Sequence, residues 1–303
     1  MTWAIRISAE LGKVVIGVAK AFGTSILLLD KKPVPSGADT LDRLTIYSIA
    51  VVCYFVAALV HEGLGHAGTT ALLGGRVEQI TSASCTCDTS ALAPWAARAV
   101  FAGGCIANIV TGGLALWFGR LIRRDHARLR YTVWLFGHVS LFVATGYMMV
   151  FPFLPAGDWH DFVAGLPAPL LWKLALTALG IGGYIATMAH AQRDLEAFLG
   201  SDSPARRARA RTLTLIPYII GGTVETLSSI VGGGGILTLI SAAPATFGGT
   251  IGVPIVGLRA AYARAPEPSS ALPLRRAPII LVIGLLVAIV HIFWFGPGLL
   301  HRR

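Results

Sequence analysis

The sequence predicts an all-α integral membrane protein, a polytopic bundle of about six or seven transmembrane helices with a short extended or hairpin segment after its most polar helix. Three observations carry that prediction. Of 303 residues, 54% are hydrophobic and only 13% charged, and the mean hydropathy is +0.69, a balance outside the soluble globular range. Several windows reach the roughly 20 apolar residues needed to cross a hydrocarbon core of about 30 Å. Short polar loops, not soluble domains, separate those windows. The expected organisation is one integral domain over 1–303, with an interfacial segment and linker over 1–43, a core over 44–165 and additional crossings over 166–303.

Each element follows from its own pattern. Residues 1–29 mix Arg6, Glu10, Lys13 and Lys20 with apolar residues at partly helical spacing, which fits a segment lying in the interface as well as one that crosses. The run 14–29 is interrupted by Lys20, so it does not read as a signal peptide. A Pro- and Gly-containing linker over 30–43 leads into the first core crossing, 44–73. Beyond Gly74 and Gly75, the stretch RVEQITSASCTCDTS (76–90) is rich in Val, Thr and Ser, which predicts extended chain that protein must shield at membrane depth. The second crossing, 96–119, carries Gly103, Gly104, Ala107, Gly112 and Gly113, small residues that permit close helix approach. The third, 131–154, ends where Pro152 and Pro155 break it before Asp158. A fourth covers 168–190. Residues 213–258, interrupted by Pro217, Gly221, Gly222, the glycines of 232–235, Pro244 and Pro254, read as a broken pair of crossings, and 277–296 is the last.

Charge and cysteine usage narrow the reading further. The 25 Lys and Arg outnumber 15 Asp and Glu, but the arginines cluster in the loops 120–130 and 191–212, where the positive-inside bias places cytoplasmic charge. Anionic lipid of the bilayer suffices as their partner, and no nucleic acid is expected. The loop 155–169 has two aspartates and no Lys or Arg, so it is expected outside the cytoplasm. The expected location is multi-pass, in a bacterial inner membrane. Four cysteines, at 53, 85, 87 and 105, make no disulfide framework. Cys53 reads as a small hydrophobe. Cys85 and Cys87 could bind metal or pair with Cys105, but unpaired loop thiols are the favoured reading.

The chemistry is expected in the first crossing, where LTIYSIAVVCYFVAALVHEGLGHAGTTALL buries His61, Glu62 and His66. Two imidazoles and a carboxylate lose their hydration there, which a bound metal compensates. They come about 17 residues into the helix, roughly 25 Å along it, toward the same face as Asp158. A hydrolytic zinc site needs three His or carboxylate ligands, an open position and a nearby Glu as general base, and these residues supply all of them.

The run HEGLGH, followed by ALLGGRVEQI, then AGGCIAN in the second crossing and FPFLPAGDW after the third, resembles the site-2 protease family of intramembrane zinc metalloproteases. The resemblance spans about residues 44–165. It implies a Zn2+ cofactor held by His61, His66 and Asp158, with Glu62 activating the water and Asn108 stabilising the oxyanion. The substrate would be a membrane protein, whose unwound segment could pair with 76–90 by strand addition.

Two departures from the family pattern make structural expectations. His61 and His66 are five residues apart, not four, which on an α-helix is an offset of about 140° instead of about 40°. A one-residue π-bulge near Gly63 would return both rings to one side. Gly157-Asp158-Trp159 stands where the family has Asp-Gly, so His160 and Asp161 are rival ligands. Charge counting also puts the site toward the outer face, whereas the family holds it nearer the cytoplasm. His138 and His291 are expected to hydrogen-bond between helices, and Glu225 either does the same or handles substrate or protons. Two further function classes stay open: a catalytically silent relative or transporter, and, less favoured because the remaining histidines are scattered, a membrane di-iron desaturase or hydroxylase.

Overall fold

A computed structural model describes residues 41–201, 203–231, 244–263 and 271–298. The expectations for 1–29 and for the glycines 232–235 lie outside the described residues. The rest is an all-α polytopic bundle.

Helix α1 (Arg43–Leu72) begins where the Asp42 carboxylate accepts from the Thr45 backbone N–H at 3.0 Å and its hydroxyl at 2.6 Å, satisfying donors the first turn leaves unpaired. It is α-helical over Arg43–Leu59, widens into a π-helix over Val60–Ala67, and returns to α over Gly68–Leu72. A hairpin follows, β1 (Arg76–Ile80) antiparallel to β2 (Cys85–Asp88), with Val77 opposite Cys87, Ile80 opposite Cys85, and a bulge between Val77 and Gln79. Thr81 closes its turn, the backbone N–H donating to the Ser84 carbonyl at 2.8 Å.

Helix α2 (Pro94–Gly119) starts with proline in its first turn, where no N–H is needed. Helix α3 (Ala127–Val150) begins four residues earlier than its apolar run, taking Arg128 and Arg130 into its first turn, and ends in a 3-10 turn, Phe151–Phe153. The short α4 (Asp158–Val163) and long α5 (Pro169–Leu199) follow. Within 213–258, α6 (Ser203–Val231) runs unbroken past Pro217. Beyond it, a π-helical stretch (Pro244–Gly248) and α7 (Gly252–Tyr262) are short, and α8 (Pro278–Val290) widens into a π-helix at His291–Phe295.

Six helices among the described residues are long and apolar enough to cross a membrane: Arg43–Leu72, Pro94–Gly119, Ala127–Phe153, Pro169–Leu199, Pro204–Val231 and Pro278–Phe295. Large apolar side chains cover their outer faces, among them Leu171, Ile185, Ile279 and Leu285, as a lipid-facing surface requires. Inside, α1 packs on α2, α3, α6 and α8, and α3 packs on α2 and α5. Polar tips in the apolar core find partners: Tyr131 Oη donates to the Leu213 carbonyl at 2.8 Å and Tyr54 Oη to Thr250 Oγ1 at 3.1 Å.

Candidate metal centre

His66 follows His61 by five positions, and the π-helix between Val60 and Ala67 absorbs the surplus. Its hydrogen bonds reach one residue further than in an α-helix, as in Gly68 N–H to the Gly63 carbonyl, so residues five apart come onto one side. The two imidazole centroids consequently lie 4.9 Å apart, nearly perpendicular at 77°. Both Nε2 atoms face the same carboxylate oxygen, Asp158 Oδ2, each at 3.3 Å.

Close backbone contact between α1 and α2 makes this possible. A Cβ on Gly65 would lie 2.5 Å from Gly104 Cα, and one on Gly103 would lie 2.7 Å from the Gly65 carbonyl oxygen, so only hydrogen at these positions allows the approach. Gly104 forms the hollow itself, since a Cβ there would sit 2.5 Å from His61 Nε2 and 2.6 Å from His66 Nε2. Val100, Gly104 and Asn108, spaced four apart, make one stripe of α2 against the two imidazoles.

That stripe also holds the far nitrogens of the rings. His66 Nδ1 donates to the Val100 carbonyl at 2.8 Å, which leaves Nε2 as the nitrogen able to ligate. Asn108 is fully buried, with its amide Nδ2 3.4 Å from His61 Nδ1 and its Oδ1 without a hydrogen-bond partner. A half-turn of that amide places Oδ1 as acceptor for His61 Nδ1–H. His61 Nε2 is then free on the same side as His66 Nε2.

Asp158 arrives from α4. Gly157 before it has φ 106°, a left-handed conformation that favours glycine, and Trp159 and Val163 pack on Ala102 and Cys105 of α2. Arg98 of α2 ties down the end of α4, its guanidinium donating to the Phe162 carbonyl at 3.2 Å and the Ala164 carbonyl at 3.1 Å. Burial pushes the Asp158 carboxyl up, but hydrogen bonds with His61 and His66 outweigh it and hold the group well below the usual carboxylate range. Of the three candidates near this turn, it is Asp158 that meets the histidines; His160 and Asp161 do not join the cluster.

Ring nitrogens and a carboxylate oxygen converging this way repel unless a proton or metal cation lies between them. The three ligand atoms fall within 4.8 Å of one another. Atoms held about 2.0–2.1 Å from a tetrahedral ion lie about 3.3 Å apart, the separation of both His–Asp pairs. The group therefore fits a metal ion, with no side chain filling the hollow at Gly104.

Glu62 is buried and lines, with His61, a cavity of about 70 Å³, room for several waters. Ser82 and Ala83 of the hairpin turn, Tyr147 of α3 and Glu225 of α6 share that lining. Glu225 Oε2 accepts from His291 Nε2 at 2.7 Å, both buried, so the interhelical partner expected for His291 is a carboxylate that also borders the cavity. Tyr147, whose ring lies 5.7 Å from His61, went unmarked in the sequence; a tyrosine within an apolar crossing was the available signal.

A second group, His138, His190 and Asp194, also brings three potential ligand atoms within 4.8 Å. Here His138 Nδ1 donates to the Trp134 carbonyl at 2.7 Å, His138 Nε2 faces His190 Nδ1 at 3.1 Å, and the Arg120 guanidinium donates to His190 Nε2 at 3.2 Å. A continuous hydrogen-bond chain with a fixed cation beside it accounts for these contacts.

No family model matches the chain, and neither the curated proteins nor the solved structures contain a match to it. The functional reading therefore rests on the site.

Proposed function

We propose that this protein is an intramembrane zinc metalloprotease that hydrolyses peptide bonds of membrane-embedded substrates. The observation that carries the reading is the π-helical turn, which gives His61 and His66 a common carboxylate partner in Asp158. Two histidines and one carboxylate are a donor set suited to catalytic zinc, and the hollow at Gly104 accommodates an ion. When bound there, zinc supplies Lewis acidity that polarises a carbonyl and makes water more acidic.

The protein groups then divide the work. Glu62, facing the cavity beside His61, takes a proton from the attacking water and delivers it to the leaving amine. Val100 and Asn108 orient the two imidazoles through Nδ1, so the contact favours a positioning role for Asn108 over the oxyanion role. The cavity has room for the attacking water beside Glu62, and the neighbouring hairpin offers a strand edge to an unwound stretch of substrate chain.

The test uses purified full-length protein in lipid nanodiscs. Elemental analysis is expected to give one zinc per chain and no iron, which separates this reading from a di-iron oxygenase. New peptide termini in a set of transmembrane peptides, read by mass spectrometry, are expected with the wild type and lost in Glu62→Gln with zinc retained. A transport or catalytically silent reading draws on the Glu225–His291 pair bordering the same cavity; it predicts that Glu62→Gln spares function.

A further inference from the structure

The hairpin between α1 and α2 carries a feature the metal centre does not use. Cys85 and Cys87 lie two apart on β2, so their side chains leave the same face, and the half-buried pair brings its Sγ atoms to 2.9 Å. Thr86 and Asp88, between and after them, face outward and are exposed. Both thiols are free, as are Cys53 and Cys105, which are at most 1% exposed. The hydrogen bond from Cys85 holds the Cys87 thiol down at about 7, and burial only partly opposes it. The same contact pushes Cys85 up. One sulfur is thus the nucleophile and the other the resolving thiol, adjacent and accessible.

We propose that Cys85 and Cys87 are a redox-active dithiol, closed by a low-molecular-weight disulfide into an intramolecular Cys85–Cys87 disulfide. The Cys87 thiolate attacks one sulfur of the oxidant, forming a mixed disulfide and expelling a thiolate. Cys85 loses its proton and attacks Cys87 Sγ, expelling the second half of the oxidant. The pair gives up two electrons and two protons, and the oxidant leaves as two thiols. The position gives the step a consequence. Cys85 directly follows the turn whose Ser82 and Ala83 line the cavity beside His61 and Glu62, so closing a small ring in β2 alters the strand that supports this part of the lining.

The assay reads thiols, so its result does not depend on the metal or on proteolysis. Full-length protein in nanodiscs, with chelator present, is treated with oxidised glutathione, and remaining thiols are trapped with N-ethylmaleimide before peptide mass analysis. The expected product is a peptide lighter by two hydrogen atoms containing both cysteines, unmodified by maleimide and restored by dithiothreitol, with Cys53 and Cys105 still thiols. Cys85→Ser is expected to stop at the mixed disulfide on Cys87. Alkylation of both Cys85 and Cys87 after oxidation, a stable glutathione adduct on the wild type, or a disulfide-linked dimer on a non-reducing gel would each overturn the proposal.

Discussion

Two groups in this molecule have the same composition, two histidines and an aspartate, yet different surroundings. In the first, His61 and His66 sit on one helix, their Nδ1 atoms face Asn108 and the Val100 carbonyl, and both Nε2 atoms converge on Asp158. In the second, His138 and His190 lie on two crossings and face each other, and Arg120 donates to the remaining nitrogen of His190. The Asp158 side chain is 24% exposed and the Asp194 side chain 37%. Ligand types alone therefore do not make a site. The partners behind the ligands decide whether the lone pairs converge on a common hollow or are already used.

The sharpest way to break this contrast is Glu62→Gln, expected to lower peptide cleavage by roughly 10²–10⁴-fold, the usual contribution of general acid–base catalysis, with zinc content unchanged. Gly104→Ala is next. Its methyl group would occupy the hollow between both Nε2 atoms, so zinc affinity, measured by competition with a chelating dye, should fall by about 100-fold or more, while circular dichroism stays helical. Asn108→Ala removes the partner of His61 and should weaken zinc by about 10–100-fold, and Asn108→Asp should recover most of that loss because an acceptor is restored. At the small end, His190→Asn breaks the second chain of hydrogen bonds and should leave zinc stoichiometry and affinity unchanged. A drop in bound zinc there would assign the second group to metal as well.

The sequence exposed some of this better than the rest. The crossings were visible because lipid demands continuous apolar runs. Yet 213–258, expected as a broken pair, contains one helix that passes Pro217 without ending, since neighbouring helices can compensate for the missing backbone hydrogen bond. Counting along the first crossing was enough to expect a π-bulge near Gly63, because angular offset per residue is a local property. The same count could not choose among Asp158, His160 and Asp161, which share one turn.

By itself, then, the sequence determined the membrane class, the polar helix and the surplus residue within HEGLGH. All three are matters of spacing and hydropathy along a single segment. Only the tertiary structure decided that Asp158 meets the histidines, that Gly104 leaves them a hollow, that Asn108 stands behind His61 and that Glu225 pairs with His291. Those facts depend on which faces of distant helices pack together, a contest among many contacts far apart in the chain that periodicity within one helix does not encode.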